Sequence, residues 1–126
     1  MNVKRQRVAF SLLQAWYCIV EGGVFLLLNL QFFLGKSETV PRAWLIPLML
    51  IQIAGLGVGN FGLSKKLVLG PWTVLVHGLV MCLLAVVSLP FRESFNVFSL
   101  MVPLVLHGAL AFGAWRALRI PSDAQA

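Results

Sequence analysis

The chain has 126 residues, of which 60% are hydrophobic and 11% charged, and a formal net charge of +6. A soluble domain carries about a quarter of its residues as charged side chains, so a water-soluble enzyme or binding module is excluded and a membrane protein is indicated. The positive balance needs no nucleic acid, because a basic face with interleaved aromatics is missing; it reads as topology and as contact with anionic membrane lipids.

A hydrocarbon core of about 30 Å needs roughly 20 apolar residues per helix, and stretches at about 10–34, 43–63, 68–89 and 95–118 meet that need. The first follows the run KRQR. It is too long for a secretory signal and no small-x-small cleavage site follows it, so it is expected to remain as a span. Within it Gln14, Cys18, Glu21 and Asn29 recur at helical spacing and predict one polar stripe. The loop GKSETVPR leads to the second span, which holds Gln52 and the glycine-rich AGLGVGNFG. This is no phosphate loop, since it lies mid-span with no strand before it.

Lys65 and Lys66 mark the turn into the third span, where LVHGLV places His77 before Gly78. PFRESFN leads to the fourth, where LVLHGAL places His107 before Gly108, much as Gly22 follows Glu21. Gly22, Gly78 and Gly108, together with the small-xxx-small pair Gly55 and Gly59, are read as positions of close helix packing. Pro47 and Pro103 are expected inside spans two and four, where proline kinks a helix and frees a carbonyl. Trp16, Trp44, Trp72 and Trp115 fall near predicted span ends, as interfacial anchors do. Cys18 and Cys82 lie within spans and act as small apolar residues.

Short connections make consecutive helices antiparallel neighbours. The expected fold is therefore an all-α membrane protein, a single domain whose four transmembrane helices form an up-down-up-down bundle. Lys4, Arg5, Arg7, Lys65, Lys66, Arg116 and Arg119 fall on one side, against Lys36, Arg42 and Arg92 on the other. Both termini are thus expected in the cytoplasm, and the location is read as a bacterial cytoplasmic membrane.

At about 1.5 Å of rise per residue, Glu21 lies about 16 Å into its span, Gln52 about 14 Å, His77 about 14 Å and His107 about 18 Å, all near the midplane of a core about 30 Å thick. An isolated glutamate there costs at least ~2.5 kcal/mol, so Glu21 is expected to face the bundle interior and to pair with the histidines or Gln52. A carboxyl group and two imidazoles in a low dielectric are suited to exchanging protons. The expected function is proton-linked transport or a proton relay within a membrane complex. A single bundle of this size barely encloses a path, so a homo-oligomer or a place as a subunit of a larger complex is expected.

Other readings stay open. His77 and His107 are a candidate pair of ligands for a haem b, or for a metal with Glu21, and a quinone is a further candidate there. No close H-x-x-H pair supports a metal site. A membrane enzyme using Glu/His acid–base chemistry on a lipid or quinone would need a lateral entrance. In an accessory or assembly subunit the same residues would serve only as interhelical hydrogen bonds. No catalytic residue is assigned, and a non-enzymatic role is favoured over an enzymatic one. Length and a first-helix glutamate are shared with the small multidrug-resistance proteins, but the tryptophan and glycine patterns of their later helices are absent, and the chain is not identified with them.

Overall fold

A computed structural model describes residues 2–35, 41–91 and 97–120. It contains α1 (Asn2–Leu34), α2 (Leu45–Ser64), α3 (Leu69–Val87) and α4 (Val97–Leu118), with short 3-10 turns at Arg42–Trp44 and Leu89–Phe91. All four helices are long and apolar enough to cross a membrane, and no strand occurs among the described residues. α1 begins earlier than its apolar run because Lys4, Arg5, Gln6 and Arg7 are good helix formers and carry the helix on. Lys36 and Arg92, with most of the first and third connections, lie outside the described residues.

The helix ends are set by local chemistry. Gly35, at φ 70°, closes α1. At the end of α2 the amide of Lys66 reaches Leu63 O and that of Leu67 reaches Gly62 O at 2.8 Å. These two bonds, with Lys66 at φ 57°, make a Schellman closure that turns the chain directly into α3. Pro47 proves to stand in the first turn of α2, where a missing amide proton costs little, and not inside the helix as expected. Pro103 does lie inside α4.

Polarity is turned outside in. Leu12, Ile19 and Leu26 of α1 are 58%, 65% and 69% exposed, whereas Glu21 and Gln52 are 0% exposed. In water this surface would aggregate, while lipid accepts it as readily as a core does. The interior holds two apolar clusters, one around Phe10, Tyr17, Val74 and Leu110, the other around Leu28, Leu45, Leu48 and Met81. Along α1, α2 and α3 the midplane polar residues fall between them.

The helices pack in ring order, with α1 against α4 the loosest of the four seams. Glycine closes the tight ones. A Cβ on Gly62 would run into Gly70 N, and one on Gly70 would meet Leu63 N at 2.5 Å, so α2 and α3 touch backbone to backbone. A Cβ on Gly78 would come 2.8 Å from His107 O, which brings α3 equally close to α4.

Candidate functional site

Glu21, Gln52, His77 and His107, one from each helix, meet in a single buried polar cluster. Its first arm starts on α1, where Tyr17 lies one turn before Glu21 on the same face. Tyr17 Oη is 2.6 Å from His77 Nδ1, and His77 Nε2 is 2.6 Å from Gln52 Oε1. Gln52 Nε2 then donates to Glu21 Oε2 and, at 3.3 Å, to the Glu21 backbone carbonyl. That carbonyl can only accept, so the Gln52 amide has one orientation, and its Oε1 must accept from a protonated Nε2 of His77. With His77 neutral, the Tyr17 hydroxyl donates to Nδ1, and every hydrogen in this arm has a place.

Space for the arm comes from α2. A Cβ at Gly55 would lie 2.5 Å from His77 Nδ1 and 2.7 Å from Tyr17 Oη, and one at Gly59 would lie 2.7 Å from the Tyr17 ring. Only glycine at these two positions lets the tyrosine and histidine rings pass between the helices. At Gly22 and Gly108 a Cβ would meet nothing within 4 Å, so no neighbour demands glycine there.

The second arm crosses to α4. His107 Nε2 lies 2.6 Å from Glu21 Oε1, both side chains being almost wholly buried. The alignment falls short of a straight hydrogen bond, and neither atom has another polar partner among the described residues. The opposite ring nitrogen, Nδ1, is 2.9 Å from Pro103 O, an acceptor only, so Nδ1 carries a hydrogen. One further proton must then sit between Nε2 and Oε1. Placed on the ring it gives an imidazolium–carboxylate pair; placed on the acid it gives two neutral groups. Without it two lone pairs would face each other at 2.6 Å beside a bare buried carboxylate, which a low dielectric penalises heavily.

The predicted polar stripe of α1 divides. Gln14 and Cys18 bond to Asn60 of α2, at 3.1 and 3.0 Å, and Asn29 bonds to its own helix at Phe25 O, so only Glu21 turns into the cluster. Thr73 also bonds to its own backbone, at Leu69 O. Tyr17 was not among the sequence candidates. Its signal was the i, i+4 spacing to Glu21, obscured because a tyrosine beside a tryptophan in an apolar run reads as an interfacial ring.

The two histidines do not frame an open slot. Each directs Nε2 at the polar groups around one carboxylate, with His77 Nε2 3.4 Å from Glu21 Oε2. A haem iron between them would have to displace the acid, and the residues present do not fit that group. No group of three His, Cys, Asp or Glu side chains is arranged to hold a metal ion among the described residues. A cleft of about 430 Å³ opens between α1 and α4 and reaches His107 past Val20, Gly23, Leu106 and Pro103. Its walls are almost entirely apolar, so the cluster is separated from lipid on that side by little more than the cleft. Trp16, expected at a span end, stands on this seam beside Val20.

Comparison with protein families, curated proteins and solved structures finds no match for this chain.

Proposed function

We propose that this protein handles protons within the membrane, with Glu21 and His107 holding one exchangeable proton at the midplane as the working group of a relay or of proton-linked transport. The observation that carries this reading is the contact of Glu21 Oε1 with His107 Nε2 at 2.6 Å, whose opposite ring nitrogen is committed to Pro103 O. The pair differs from a structural clamp in offering one proton two homes, His107 Nε2 and Glu21 Oε1. Tyr17, His77 and Gln52 act as positioning residues, holding Oε2 so that proton exchange is confined to Oε1.

The same proposal places the four helices in alternating directions, in a bacterial cytoplasmic membrane with both termini in the cytoplasm. The distribution of lysine and arginine supports it. A homo-oligomer or a larger membrane complex completes the path. The haem- or quinone-anchor reading is less favoured, because both imidazoles already spend Nε2 on the cluster. In an accessory subunit the same groups would need only to pair.

The test is proton flux in liposomes under a potassium diffusion potential, followed with an internal pH dye. Wild-type vesicles are expected to acidify at least about tenfold faster than vesicles bearing Glu21→Gln or His107→Gln, in keeping with the worth of one positioned proton-transfer group. Equal rates for wild type, both variants and protein-free vesicles would sink the reading.

A further inference from the structure

The α1–α4 seam holds more than the cleft at the cluster. At the end where α1 begins and α4 finishes, a pocket of about 310 Å³ is lined by Arg5, Arg116, Arg119 and Trp115. The Arg119 guanidinium lies 4.8 Å from the centroid of the Trp115 ring and that of Arg116 lies 5.9 Å from the Phe112 ring, contacts that steady both cations. Among the described residues these arginines form no ion pair, and the only acid is the distant, buried Glu21. Asp123, the nearest acid in sequence, lies outside the described residues.

One turn further into the membrane the seam continues as an apolar groove of about 450 Å³, floored by Ala9, Leu13, Ala109 and Gly113. This groove shares Trp16, Val20 and Leu106 with the cleft that reaches His107 and runs on past it to Leu28 and Ser99. Cationic pocket, apolar groove and midplane cleft thus follow one another along the same seam. From the arginines of α4 to His107 the helix rises about 14–18 Å. That is the depth of one leaflet's acyl chains, about half of a 30 Å core.

We propose that the α1–α4 seam is a binding site for an anionic phospholipid, its phosphate held by Arg5, Arg116 and Arg119 and one acyl chain laid in the groove so that it ends beside His107. Charge selects this occupant. A second copy of the chain has no described acid to offer the arginines at that depth, and a neutral lipid leaves three cations without a counter-charge among the described residues. The apolar groove adjoining the head site selects a lipid over free phosphate. The site stands whether or not the Glu21–His107 pair moves a proton.

The experiment uses purified full-length protein in mixed micelles and reads quenching of tryptophan fluorescence by phosphatidylglycerol or phosphatidylcholine with brominated acyl chains; Trp16 and Trp115 both line the seam. Phosphatidylglycerol is expected to bind at least about tenfold more tightly. Each arginine is worth about fivefold near an anionic headgroup, so Arg116→Gln/Arg119→Gln is expected to remove most of the preference. Gly113→Leu fills the groove from a position where a Cβ meets only Leu13 Cδ1, at 3.5 Å. Gly23→Leu fills the adjoining cleft, into which the groove continues, from a position where a Cβ meets nothing within 4 Å. Both are expected to weaken phosphatidylglycerol binding several-fold with unchanged helical circular dichroism, and inorganic phosphate at millimolar concentration is expected not to compete. Equal binding of the two lipids overturns the proposal. So does full competition by phosphate with both groove variants unaffected, which would make the arginines a site for a free anion. If one groove variant fails to fold, the other and the arginine pair decide.

Discussion

The two seams that α1 makes contain the same kinds of residue and come out opposite. Toward α2 and α3, glycine is filled: Tyr17 and His77 occupy the space that Gly55 and Gly59 leave, and further along Gly62 and Gly70 bring backbones together. Toward α4, glycine stays empty, since Gly23 and Gly113 line open grooves and a Cβ at either would meet no atom closer than 3.5 Å. The lesson is that a small residue in a membrane helix creates either contact or space, and what stands opposite it decides which. The closed side holds the carboxylate still, and the open side brings an apolar cleft up to its partner histidine, which itself stays buried.

The largest expected effect comes from cutting the link between the two sides. His107→Ala leaves Glu21 Oε1 buried without a partner. Breaking a buried pair in this way costs about 3–5 kcal/mol, readable as loss of the folded form in denaturing mixed micelles. Stability close to wild type would mean that the α4 arm is ornamental and the seam distinction has no bearing on the cluster.

Next comes the contrast among glycines. Gly62→Ala is expected to destabilise by about 1–3 kcal/mol or more, as overpacking does, because the new methyl group meets backbone and cannot push it aside. Gly22→Ala and Gly23→Ala, facing nothing, are expected to stay within about 0.5 kcal/mol of wild type. If all three behaved alike in the same unfolding assay, the comparison would break.

The smallest effect sharpens the picture of the closed side. Tyr17→Phe keeps the ring between Gly55 and Gly59 and removes only the hydroxyl bonded to His77. Interhelical hydrogen bonds in membranes average about 0.6 kcal/mol, so a loss of that order is expected. A loss several times larger would show that the hydroxyl also sets the tautomer on which the rest of the arm depends.

Much of this could be read before the fold was seen. Glu21, Gln52, His77 and His107 shared a depth by simple counting along four spans, and the cost of burying a carboxylate required that they meet. The division of the α1 stripe could not be read, since Gln14, Cys18 and Glu21 share a helical face and yet bond to different neighbours. Tyr17 was hidden because aromatic rings serve equally at interfaces and in cores. Pro47 was misplaced because hydropathy does not mark where helical geometry starts.

By itself, then, the sequence determined what depends on position along a helix: four helices long and apolar enough to cross a membrane, and how far along each of them its polar group falls. Tertiary structure alone decided what depends on rotation about the helix axes: which glycines touch, which nitrogen of His107 faces the acid, and why one seam remains open. The reason is physical. Depth accumulates residue by residue along a single chain, whereas the facing of side chains is settled by pairwise packing among four helices that lipid leaves free to turn.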